Sequence, residues 1–124
     1  MSVSDERLAA EWATDDEVLR SLASNGDQPE IVRSVDVSFI GDQHQLEALA
    51  KDFQADGFEL AYWSETDAGE PWLFLKRIQK SDRATIHSMT RRCLQAAEEF
   101  GVEHDGWGCM AHNANGPIDN ENPA

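Results

Sequence analysis

The chain has 124 residues, a hydrophobic fraction of 40% and four Trp; it is the size of one domain with a modest core and too rich in large apolar side chains for a disordered chain. Its formal net charge of −14 opposes direct binding to nucleic acid, because phosphate repulsion replaces the counterion release that draws basic proteins onto it. No apolar run approaches the roughly 18 to 20 residues that span a bilayer.

The first predicted element is helical. Thr14 and Glu17 form a T-x-x-E capping box ahead of the stripe Val18, Leu19 and Leu22, and Asn25-Gly26 stops the helix. Leu8 and Trp12 place further helix before it, continuous or bent near Thr14. From Pro29 the period becomes two: Ile31, Arg33, Val35, Val37 and Phe39 alternate with Val32, Ser34, Asp36, Ser38 and Ile40 and predict a strand with one buried face, ended by Gly41. Asp42 caps a second helix carrying Leu46, Leu49, Ala50 and Phe53, closed by Gly57. Phe58–Trp63 reads as a strand with Phe58, Leu60 and Tyr62 on one face. After a turn-rich loop, Ser64–Glu70, the segment Trp72–Ile78 returns as its hairpin partner. Ser81 or Asp82 caps a third helix, lined by Ile86, Met89, Cys93, Ala97 and Phe100 and stopped by Gly101. A last strand starts at Val102.

The order after the first helix is β-α-β-β-α-β, which predicts an α+β, ferredoxin-like split sandwich with an extra N-terminal helix. A single domain is expected: residues 1–27 the helix, 28–112 the core and 113–124 a mobile tail. The bare sheet face is left for the N-terminal helix, a second copy or a partner; the sequence does not set the oligomeric state. The opening MSVSDERLAAEW lacks the basic start and apolar middle of a signal peptide, and Cys93 and Cys109 suit reduced thiols, so a cytoplasmic location is expected.

Charge is unevenly spread. Residues 1–75 hold 17 acids against 4 bases, whereas Lys76, Arg77, Lys80, Arg83, Arg91 and Arg92 face only Asp82 within 76–92. That basic stretch is expected mainly to neutralise acids elsewhere on the fold.

His104, Asp105, Cys109 and His112 suggest a metal site by residue type. In an extended strand, however, His104 and His112 stand roughly 26 Å apart at about 3.3 Å per residue, with Cys109 on the opposite face, so no metal is expected. No G-x-S-x-G elbow surrounds any Ser, Cys93 lies on an apolar stripe, and His44 and His87 fall on solvated helix positions, so the chain does not read as an enzyme and needs no cofactor. Trp72 and Phe74 beside Lys76 and Arg77 faintly resemble an RNA-binding sheet, without its sequence pattern or its charge. Asp105-Gly106-Trp107-Gly108 predicts a turn or bulge whose Trp fills the core or anchors an interface.

The segment Val102–Gly108, VEHDGWG, following the helix end Ala96-Ala97-Glu98-Glu99-Phe100-Gly101, resembles the signature of the regulator of ribonuclease activity B family. The family typically has Tyr where this chain has His104. The acidic first helix running into Asn25-Gly26-Asp27, and the Leu46–Gly57–Phe58 block, are similar to the family's pattern too. Better-known members end in a long acidic tail, where this chain has only Asp119 and Glu121 after Asn113. The resemblance implies a ferredoxin-like fold and a non-catalytic protein that binds ribonuclease E, lowers its activity and slows mRNA turnover. An acidic interaction module with a different protein partner is the alternative. If the partner is such a nuclease, the acids of the first helix (Asp5, Glu6, Glu11, Asp15, Asp16 and Glu17) are expected to meet an Arg-rich region of it.

Overall fold

The structure is a computed structural model and describes residues 3–118. Helix α1 runs unbroken over Asp5–Ser24, with Ser4 as its cap: the Ser4 hydroxyl accepts from the Arg7 N–H at 3.1 Å. The capping box expected at Thr14 is not used. The alanines and Leu8 upstream favour helix, so Thr14 falls mid-helix and its hydroxyl donates back to the Ala10 carbonyl at 3.3 Å. Strand β1 (Arg33–Ile40) leads to α2 (Gln43–Gln54), where the Asp42 carboxylate accepts from the N–H groups of His44 and Gln45, as its position predicts. The hairpin strands are β2 (Glu59–Glu65) and β3 (Pro71–Gln79). Helix α3 (Arg83–Phe100) is capped by Asp82 and ended by Gly101 at φ 67°, and β4 covers Glu103–Gly108. Two short strands, β5 (His112–Asn113) and β6 (Gly116–Pro117), pair across the point where a tail was expected to begin, at residue 113; residues 119–124 lie outside the described residues.

The four long strands form one sheet in the order β2-β3-β1-β4, with every neighbouring pair antiparallel. This is the split βαββαβ arrangement read from the element order. Side chains at Val35, Val37 and Phe39 from β1 and Leu73 and Leu75 from β3 meet Leu46, Leu49 and Phe53 of α2 and Ile86, Met89, Cys93 and Ala96 of α3 in one cluster. Both helices therefore cover the same sheet face.

Helix α1 does not lie on the other face. It joins the helical layer against α3, where the Trp12 ring stacks on His87 at 4.8 Å and its indole N–H donates to the His87 carbonyl at 2.9 Å. His87 is thus covered by α1 rather than solvated. Among the described residues, no helix covers the opposite sheet face.

Two irregularities decide which side chains reach it. Between Leu60 and Tyr62 the pairing with β3 shifts, so Leu60 stands opposite Leu75 and Tyr62 opposite Phe74. The expectation that Leu60 and Tyr62 share a face is corrected: one extra residue, Ala61, reverses the parity of a period-two pattern. The second shift lies in β4.

One charged pair is enclosed where α1 runs into β1. The Arg33 side chain is fully buried and its guanidinium reaches Asp27 at 2.7 Å, while the same carboxylate takes the Ser81 hydroxyl at 3.0 Å and the His112 N–H at 2.8 Å. Arg33 also donates to the carbonyls of Gln28, Ile31 and Met110. A buried guanidinium survives only with this degree of satisfaction. Burial raises the Asp27 carboxyl, but the His112 N–H, Arg33 and Ser81 outweigh it and hold the group below its ordinary value.

Candidate partner-binding surfaces

The motif residues Asp105 to Gly108 form a β-bulge. Phe39 stands opposite His104, and the next residue back along β1, Ser38, stands opposite Gly106, leaving Asp105 as the inserted residue. Gly106 takes φ 132°, a conformation that side-chain-bearing residues avoid. The insertion keeps both His104 and Trp107 on the core side, although three residues of regular strand would put them on opposite faces. It turns Asp105 outward, where its carboxylate accepts from the Ser38 hydroxyl at 3.3 Å. The same shift brings Cys109 to the core side, where it packs, rather than to the face opposite His104.

Trp107 packs against the core and its indole N–H donates to Asp15 at 2.8 Å. Asp15 is 2% exposed, and its other oxygen accepts from the Thr90 hydroxyl at 2.6 Å. The motif Trp, α3 and α1 are thereby fastened through one buried carboxylate. Burial pushes that carboxyl upward, against the lowering effect of the Thr90 and Trp107 bonds. By sequence Asp15 was grouped with the surface acids; the overlooked signal is the spacing of Leu8, Trp12, Asp15, Leu19 and Leu22, which lie on one helical stripe. His104 is buried beside Phe39, its Nδ1 atom has no hydrogen-bond partner among the described residues, and desolvation lowers its pKa.

The acids of α1 expected at an interface fall in three settings. Asp15 faces inward. Asp16 is held by Arg83 at 3.0 Å and by His87 at 2.9 Å, and the Arg83 bond is the main reason its pKa drops to about 2. Glu11 pairs with Arg7 at 3.3 Å, while Asp5, Glu6 and Glu17 are exposed. The basic stretch 76–92 does neutralise acids of its own fold: Lys76 meets Glu59, Lys80 meets Glu30, and Arg92 bridges Asp52 and Asp56 at 2.7 Å each. Arg77 donates to the Asp56 carbonyl and lies over the Phe58 ring at 4.2 Å.

The sequence left the open sheet face to the first helix, a second copy or a partner, but assigned none of its residues to a protein partner. Tyr62 and Phe74 stack there at 4.3 Å between ring centres, with Trp72 4.9 Å from Phe74. Asp36 and Asp105 lie beside them around a shallow cavity of about 290 Å³. The parity reversal at Ala61, invisible in the pattern, is what brings Tyr62 to this face.

Among the described residues, no three His, Cys, Asp or Glu side chains gather as metal ligands, and no helix is long and apolar enough to cross a membrane. Cys93 is fully enclosed and its thiol is pushed far upward by desolvation.

Sheet order, helical layer and bulge together define a ferredoxin-like α+β protein with an added N-terminal helix. Residues 12–109 match the family described as Regulator of ribonuclease activity B. A relative of that name from Aeromonas salmonicida (strain A449) is 33% identical over 104 residues, covering 79% of this chain and 90% of the relative. The chain belongs to the regulator of ribonuclease activity B family, and the matched span takes in Asp15, Trp107 and the bulge that joins them.

Proposed function

We propose that this protein binds a ribonuclease of the ribonuclease E type and lowers its activity by protein–protein contact, slowing RNA degradation in the cytoplasm, with no catalysis and no cofactor of its own. The observation that carries this reading is the family match over residues 12–109. The charge supports it: a nuclease must hold RNA with basic segments, and those segments attract a protein of net charge −14. Asp5, Glu6 and Glu17, exposed on α1, steer the encounter, while Asp15 and Asp16 act indirectly by fixing α1 in place.

The test is capture of ribonuclease E by the immobilised protein, followed by an RNA-cleavage assay across a salt series. Capture with slowed cleavage, weakening from low to physiological salt, is expected. Cleavage unchanged at saturating protein overturns the reading. Capture of a different protein instead favours the ferredoxin-like acidic module with another partner.

A further inference from the structure

Pairing register assigns Asp36, Ser38 and Ile40 of β1 and Trp72, Phe74 and Lys76 of β3 to the open face. The Tyr62 and Phe74 rings lie within 13° of parallel, and Tyr62 is 53% exposed, so one side of the stack is free. Across the cavity, Gly106 and Gly108 present no side chain, and a Cβ at either would meet nothing within 4 Å. The result is a trough with an aromatic wall, a glycine wall and carboxylates at Asp36 and Asp105.

Charge selects the occupant. Register and the Ser38 bond put Asp36, Glu59, Glu103 and Asp105 on this face against one base, Lys76. Lys76 is already paired with Glu59 at 3.8 Å, and Asp36 and Asp105 have no ion pair among the described residues. Desolvation lifts the Asp36 carboxyl, with Lys76 only partly offsetting it. A phosphate backbone would meet repulsion here. A guanidinium meets a ring face to stack on and carboxylates that match its planar fork, whereas an ammonium offers neither plane nor fork.

We infer that the open sheet face is the docking surface for an extended arginine-rich segment of the partner protein, with a guanidinium stacked on the Tyr62–Phe74 pair and bonded to Asp36 and Asp105. This rests on the proposed action on a basic nuclease and names the surface that would engage it. The acids of α1 then serve long-range attraction, and the sheet face gives arginine selectivity.

The experiment titrates the full chain, followed by backbone NMR, with three probes: a short peptide of alternating Arg and Gly, its Lys counterpart, and a uridine oligonucleotide. The expected result is a set of shifts confined to the strands around Asp36, Phe74 and Gly106, with the Arg peptide about tenfold tighter than the Lys peptide. Tyr62→Ala and the double variant Asp36→Asn/Asp105→Asn each weaken Arg-peptide binding about tenfold, and Tyr62→Phe restores it. Melting curves of the same variants check that the fold is retained. Equal affinity for the two peptides, shifts confined to α1, or preferred binding of the oligonucleotide at this face overturns the inference. Failure of the underlying reading is distinguishable. If ribonuclease E is captured equally by wild type and both sheet-face variants, the surface is wrong and the proposed function stands. If the Arg peptide binds the face but cleavage is unaffected, the surface stands and the nuclease reading falls.

Discussion

The two faces of the sheet carry aromatic and charged side chains alike, yet treat them in opposite ways. On the covered face Phe39 is 0% exposed, and the charged groups, Arg33 on the sheet and Asp15 reaching in from α1, are met by partners at nearly every polar atom. On the open face Tyr62 and Ile78 stand in solvent, and Asp36 and Asp105 lack cations among the described residues. Apart from His104 Nδ1, the charged and polar groups of the covered face are answered, whereas two carboxylates of the open face have no cation among the described residues. Stability and recognition are therefore separable by mutation in a sheet only one strand thick.

The largest break in that comparison is Phe39→Ala. It removes a fully enclosed ring in contact with Phe53 and His104 and is expected to cost about 3–5 kcal/mol in chemical denaturation. Next comes Trp107→Phe, which keeps the ring volume near but strands one oxygen of Asp15, for an expected loss of about 1–3 kcal/mol by the same measurement.

A smaller effect separates two neighbouring carboxylates by pH. Asp15 has a raised folded pKa, so its ionisation opposes folding and acidification through the carboxylate range shifts stability toward wild type relative to Asp15→Asn. Asp16, held at about 2, does the reverse: its contribution is present above the unfolded value near 3.8 and is lost as pH falls toward 2. Thermal melts of wild type, Asp15→Asn and Asp16→Asn across this window are expected to show difference curves of opposite slope. Parallel slopes would mean that Asp15 is not desolvated as its surroundings indicate.

The smallest effect is at the open face. Tyr62→Ala and Ile78→Ser are expected to move stability by no more than about 0.5 kcal/mol, which denaturation curves resolve from the Phe39→Ala loss. A loss of several kcal/mol at Tyr62 would show that the open face also supports the fold.

The fold was legible where one local cause acted alone. The alternation of β1, the Asp42 cap, Gly101 and the element order all read directly. The glycines of the motif announced a bulge, though not its effect of keeping His104 and Trp107 together. What stayed hidden depended on parity or on distant contacts. One residue at Ala61 moved Tyr62 to the other face, and no periodic pattern records such an insertion. Thr14 resembled a cap because the rule is local, while the helix was fixed upstream at Ser4. Asp15 and Asp16 looked like adjacent surface charges; only the docking of α1 on α3 separates an enclosed acid from an ion-paired one. The acidic helix was thus visible as a candidate surface, and the aromatic trough was not.

The enclosed Arg33–Asp27 pair also determines how the chain comes apart. Asp27 follows α1, Arg33 opens β1, and the backbone of His112, where the chain leaves the sheet, is tied both to the Asp27 carboxylate and, through its carbonyl, to the Gln28 N–H at 2.7 Å. Entry and exit of the fold share one knot. A truncation that removes the first helix through Asp27 would leave a guanidinium in the interior without its counter-charge, so the helix is not a detachable module. In hydrogen exchange, the Gln28 and His112 amides are accordingly expected to open together, at the slow rate of the central strands rather than the fast rate of a chain end.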